Sequence, residues 1–235
     1  MRMAIYYLPR RDSALWRFGS AFLGYDAITG APCEQTGLAG IDAGQIKAWT
    51  GEPRLYGFHA TLKAPFRLAD GLDAEALCTA AAKFCARERP VSLGVLAPDC
   101  LGSFIALKPV QHCSDLASLA ARCVEYFDTF RAPMNEAERA RRLQSKLTPR
   151  QIELMDLWGY PYVFDEFRFH MSLTGPLPAD VRTPMLAATE QCFAPISEPV
   201  IVDSICVCEQ TIPNRPFRLL QRFELCGSAV PSANT

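Results

Sequence analysis

Histidine is scarce in this chain, with three in 235 residues, and none of the ten cysteines is paired as C-x-x-C. Together these shortages make a poor zinc site, and no metal or other cofactor is implied. Long hydrophobic runs are also missing, so no segment spans a bilayer. The apolar start, residues 1–9, is too short for a signal peptide and is interrupted by Pro9, Arg10 and Arg11, so it reads as a first strand. A cytoplasmic protein is expected, with thiols such as Cys78, Cys85, Cys123 and Cys192 acting as small buried hydrophobes in a reducing compartment. Net charge is nearly absent as well, at −1. Without a global basic field, an extended nucleic acid is not the expected partner, although a local basic cleft for one small phosphate fits.

What the chain does have is a repeat. Phe58-His59-Ala60-Thr61-Leu62-Lys63-Ala64-Pro65-Phe66 matches Phe169-His170-Met171-Ser172-Leu173-Thr174-Gly175-Pro176-Leu177. Phe, His, Leu and Pro coincide, Thr61 answers Ser172 as a hydroxyl, and two of the three histidines fall in the matched windows. The surroundings repeat too. After the first motif the pattern predicts a helix over 73–89 and strands over 91–96 and 103–107, with a turn containing Pro98, Asp99 and Gly102. After the second it predicts a helix over 180–193 and strands over 200–208 and 217–225. Each half therefore reads strand, helix, strand, strand.

Further helices are expected over 13–22 and 114–130, and one from Thr148, with Thr148 as N-cap, Gln151 closing a capping box and Gly159 ending it. The charged insertion at about 131–159 reads first as a solvated linker, and second as a lid. The expected fold class is α+β: one bilobal domain over 1–235, with two antiparallel sheet lobes and flanking helices around a central cleft. The two motif strands, near 57–66 and 167–177, are expected to face each other across that cleft.

Strand periodicity assigns the side chains. His59, Thr61 and Lys63 share one face and Phe58, Ala60 and Leu62 the other; His170, Ser172 and Thr174 repeat this against Phe169, Met171 and Leu173. A lone strand histidine is more often structural than catalytic. Two in matching contexts, each followed on the same face by a hydroxyl, reverse that reading. One imidazole can act as general base and the other as general acid, while Thr61, Ser172, Thr174 and Lys63 hold phosphate oxygens. Such a set cleaves a phosphodiester without a metal. Weaker substrate-binding candidates are Arg168, on the His170 face, and Tyr25, Tyr56 and Tyr160, placed to stack or to bond a phosphate; packing is the other reading for the tyrosines. Arg54 and Arg218 rank below them, and His112 is expected at the surface.

The duplicated His-x-Thr and His-x-Ser, with their hydrophobic flanks, resemble the two-histidine (2H) phosphoesterase superfamily. Within it the chain most resembles a bacterial branch of phosphonate metabolism proteins (DUF1045-like). That likeness is carried by Leu15-Trp16-Arg17-Phe18-Gly19, Leu23-Gly24-Tyr25-Asp26, the run from Tyr56 through the first motif, Trp158-Gly159-Tyr160-Pro161-Tyr162, and Asp165-Glu166-Phe167-Arg168-Phe169-His170. The resemblance implies a bilobal pseudo-twofold fold, a metal-free acid–base reaction centred on His59, Thr61, His170 and Ser172, and a small cyclic sugar or nucleotide phosphate as substrate. It also suggests a ribose cyclic phosphate from phosphonate breakdown. The residues leave other readings open: a ligase or transferase working through the same groups, a binding module without turnover, and a metallohydrolase, for which no convincing extra ligand is present.

Overall fold

The computed structural model describes residues 1–196 and 198–227. In chain order the elements are β1 (Arg2–Tyr7), α1 (Ala14–Leu23), β2 (Tyr25–Asp26), β3 (Ala31–Pro32), α2 (Ala43–Trp49), α3 (Gly51–Arg54), β4 (Ala60–Phe66), α4 (Ala74–Cys85), β5 (Val91–Gly94), β6 (Leu96–Leu101) and β7 (Phe104–Pro109). They continue with α5 (Ser114–Tyr126), α6 (Glu136–Arg142), α7 (Pro149–Trp158), β8 (Met171–Ser172), α8 (Ala179–Phe193), β9 (Val200–Val202), β10 (Ser204–Gln210) and β11 (Arg218–Glu224). This is an α+β arrangement of small antiparallel sheets.

Local chemistry accounts for the helix starts. Ser13, Asp42, Asp73, Asn135 and Thr148 each accept a hydrogen bond from the backbone N–H three residues on, and each such cap is worth about 1 kcal/mol. Thr148 and Gln151 form the predicted capping box, and Gly159 ends α7 in the left-handed region. Most of the insertion is exposed, and α6 buries none of its residues. The insertion holds α6 and α7, and Leu154 of α7 packs with Val124 and Val163 in a small core of its own.

The sheets depart from one lobe per half. The larger has the order β11-β10-β1-β4, so the first motif strand shares a sheet with the final hairpin of the second half. In the other, β6-β7-β8, the second motif strand lies beside the hairpin of the first half. A third pairing, β5 with β9, also joins the halves. Each half thus gives its hairpin to the sheet of the other motif. The expected turn around Pro98 shrinks to Gly102, because Pro98 and Asp99 lie inside β6. As β6 is an edge strand, a residue without an N–H is tolerated there.

The apolar backs of both motifs enter the core. Phe58, Ala60 and Leu62 are buried, as are Phe169, Met171 and Leu173. Gly19 on α1 makes room for the Phe58 ring: a Cβ there would lie 2.1 Å from it, so helix and motif strand approach as closely as a glycine permits.

Candidate active site

Gly57 turns the chain into the first motif with φ +72°, and a Cβ at that position would sit 2.6 Å from Ala27 Cβ. Its carbonyl lies 2.8 Å from His59 Nδ1. A carbonyl only accepts, so Nδ1 carries the proton and Nε2 of the neutral ring is left as an acceptor. The Thr61 hydroxyl, 3.1 Å away, donates to it. The imidazole packs on Tyr6 with centroids 3.8 Å apart, and Tyr56 stands at 6.3 Å. Burial in this company, with the positive charge of His170 adding to it, pushes the His59 pKa down to about 4, against the opposing pull of the Gly57 carbonyl.

The second motif repeats the backbone device. His170 Nδ1 lies 2.7 Å from the carbonyl of Arg168, again two residues earlier, so Nε2 of the neutral ring is again left as an acceptor. Its neighbour is Phe104, with ring centroids 5.7 Å apart, and burial lowers its pKa too. Ser172 lies opposite Ala106 in β7, with its side chain half-buried.

A cavity of about 450 Å³ touches both motifs: Thr61, Leu62 and Ala64 line it from the first, and Phe167, Arg168 and His170 from the second, while His59 and Ser172 are not among its lining residues. Gln151 of α7, with Tyr160, Tyr162 and Phe164, forms a further wall. Of the insertion itself, Gln151 alone reaches the cavity; the other three follow its end. Among the described residues, no group of three or more His, Cys, Asp or Glu is placed to hold a metal ion, and no helix is long and apolar enough to cross a membrane.

Three predicted substrate ligands are placed elsewhere. Lys63 leaves the His59 face because β4 carries one extra residue: Thr61 pairs with Tyr6 but Lys63 with Ile5, adjacent residues pointing to opposite faces of β1. Its buried ammonium instead donates to the Val124 carbonyl at 3.0 Å and to Asp128 at 2.9 Å. The Thr174 hydroxyl, also buried, accepts from the Ile105 N–H at 3.0 Å and ties the second motif to β7. Tyr25 donates to the Phe217 carbonyl at 2.9 Å and is a packing residue.

The remaining candidates divide. Tyr56 stacks on Phe217 beside His59. Arg168 lines the cavity, although its guanidinium is held by the Asp165 and Phe167 carbonyls. Arg54 is committed to the Leu23 carbonyl and Thr50, and Arg218 to Glu209. His112 is exposed. Sequence reasoning missed Tyr6 and Phe104, the rings against the two histidines. Tyr6 sat in the predicted first strand, but its partner strand was not legible.

Comparison with known proteins places these features in a family. Two curated proteins, each named ribose 1,5-bisphosphate phosphokinase PhnN, are similar to the chain. One, from Janthinobacterium sp. (strain Marseille), is 38% identical over 96% of this chain and 51% of its own length. The other, from Laribacter hongkongensis (strain HLHK9), is 39% identical over 75% of this chain and 40% of its own length. The chain thus spans about half the length, or less, of these relatives. The family described as "Protein of unknown function (DUF1045)" matches residues 61–218, a stretch that holds Thr61, His170 and Ser172 and begins just after His59. With that match over most of its length, the chain belongs to the DUF1045 family.

Proposed function

We propose that this chain is a metal-independent phosphodiesterase that opens a small cyclic phosphate on a ribose, in phosphonate metabolism. The observation that carries this reading is the repeated tether: both Nδ1 atoms are fixed on the carbonyl two residues back, leaving two Nε2 atoms for proton transfer, that of His170 at the cavity and that of His59 bonded to the cavity-lining Thr61. His59, held neutral by its burial, takes a proton from water at Nε2. The water oxygen bonds to phosphorus, the P–O ester bond breaks, and the leaving oxygen receives a proton from Nε2 of His170, which enters the reaction as the imidazolium. Ser172 donates to a phosphoryl oxygen as charge builds on it, and Thr61 does so once His59 Nε2 has taken its proton and no longer accepts the hydroxyl.

A second reading comes from the relatives' names: phosphoryl transfer by a kinase acting on ribose 1,5-bisphosphate. The phosphates of ATP are commonly cradled by a G-x-x-x-x-G-K-[ST] loop, and no such run occurs in these 235 residues. That, with the partial coverage of the relatives, favours the phosphodiesterase for this chain. Phosphorus NMR decides between them. Ribose 1,2-cyclic phosphate should be opened to a monoester in EDTA without nucleotide. Full loss of activity on chelation, or phosphorylation of ribose 1,5-bisphosphate by ATP with no action on the cyclic ester, overturns the proposal.

A further inference from the structure

Beside the cavity lies an unbalanced group of arginines. A small cleft of about 40 Å³ is lined by Arg2, Arg67, Arg131, Arg141 and Arg142. Its volume suits roughly three waters, about the size of a phosphoryl group. Two of these cations are neutralised: Arg67 by Glu138, and Arg131 by Asp128. The other three have no carboxylate partner among the described residues. Arg2 donates to the neutral amide of Gln210 and lies over the Phe217 ring at 5.4 Å. Arg142 lies over Tyr160 at 5.3 Å, where desolvation lowers its pKa. Arginines in a last helical turn ordinarily serve the helix dipole, a role open to Arg139 and Arg141 on α6. Arg142, turned from solvent onto a cavity-lining tyrosine, does more than that role requires.

The cleft adjoins the histidine site through aromatic rings. Tyr160 lines the 450 Å³ cavity and carries Arg142. Tyr6 has His59 at 3.8 Å and, at 5.9 Å, the Phe217 ring that Arg2 covers. The Tyr6 hydroxyl is buried and has no hydrogen-bond partner among the described residues, while the charge of Arg2 reaches it. A buried hydroxyl left without an acceptor, on the ring that joins His59 to the Phe217 under Arg2, calls for an explanation.

We propose that Arg142, with Arg2 and Arg141, forms a second anion subsite that holds a phosphomonoester of the substrate while its cyclic ester lies between His59 and His170. The proposal rests on the phosphodiesterase reading for the second half of that sentence only; the subsite itself stands on the arginines. It makes the substrate a sugar with two phosphorus groups, one esterified twice and one once, and gives the insertion a selective role. A guanidinium–phosphate contact is charge-assisted and bidentate, so removing one should weaken binding by about 10-fold to 100-fold.

The probe is ribose 5-phosphate, titrated calorimetrically into the wild-type chain and into Arg142→Gln and Arg142→Lys. Binding should weaken by at least about 10-fold in Arg142→Gln and be partly restored in Arg142→Lys. Circular dichroism checks that each variant folds, and Arg2→Gln provides a second route should Arg142→Gln fail. Equal binding by wild type and the glutamine variants overturns the subsite, as does no binding to wild type at millimolar concentration. A parallel assay compares ribose 1,2-cyclic phosphate with and without a 5-phosphate. Wild type should prefer the phosphorylated form by about 10-fold or more, and Arg142→Gln should lose most of that preference. Retained ribose 5-phosphate binding with neither cyclic ester opened would sink the reaction and leave the subsite standing.

Discussion

His59 stands at the head of a seven-residue strand at the edge of a four-stranded sheet, with two tyrosines around its ring and a hydroxyl on its Nε2. His170 precedes a strand of two residues at the edge of a three-stranded sheet, and its aromatic neighbour is a phenylalanine. The peptide tether of each ring is the same, yet the pKa of His59 falls to about 4 while that of His170 falls less far. A duplicated sequence thus supplies identical tautomers, and the surroundings separate their proton affinities. Separated affinities are what an acid–base pair needs.

The strongest way to break this comparison is to remove the rings singly. His59→Ala and His170→Ala should each lower kcat/KM by about 10²-fold to 10⁴-fold, and the double variant by much less than the product of the two. The wild-type profile should be bell-shaped with its optimum on the acid side of neutrality, because both pKa values lie below the ordinary 6.5. With His59 as base, its loss removes the acid limb; the alkaline limb should vanish with His170. The reverse pattern would exchange their roles.

The hydroxyls should sharpen it. Thr61→Val removes a donor that also holds His59 Nε2, and should reduce turnover by about 10²-fold to 10³-fold; Ser172→Ala should lose less. Equal losses in steady-state kinetics would mean the Thr61–His59 bond has no part in the difference.

Lys63 tests the face assignment. Lys63→Met leaves Asp128 with Arg131 alone in a partly buried site, so urea unfolding should show a loss of roughly 2–4 kcal/mol with turnover kept within about threefold. A folded, stable variant with crippled turnover would return the ammonium to the phosphate.

The smallest effect concerns pH and stability. His59 is neutral when buried and has an unfolded pKa near 6.5, so its contribution to stability is complete above that value. The contribution fades as pH falls toward about 4, by roughly 2 kcal/mol at pH 5. Urea titrations of wild type and His59→Gln should differ in slope across that window, and parallel slopes would mean the ring is not desolvated as described.

The parts of this architecture that were legible in sequence are those set by neighbours along the chain. Thr148, Gln151 and Gly159 announced α7 because caps are local, and burial of Phe58, Ala60, Leu62, Phe169, Met171 and Leu173 followed from strand period. Lys63 and Thr174 were misplaced for the opposite reason. The extra residue in β4 exists only relative to β1, and the Thr174 hydroxyl is claimed by a backbone N–H some seventy residues earlier. The sheet exchange belongs to the same class, since both halves carry the same element order whichever sheet their hairpins join.

That exchange bears on how the molecule forms. β1 meets β10 across a separation of up to 208 residues, so the larger sheet cannot close until nearly all of these 235 residues have left the ribosome. High contact order of this kind slows folding, and until closure β1 and β4 have one open edge each. Neither half, cut out, retains the sheet of its own motif whole: the first lacks β10 and β11, the second lacks β6 and β7.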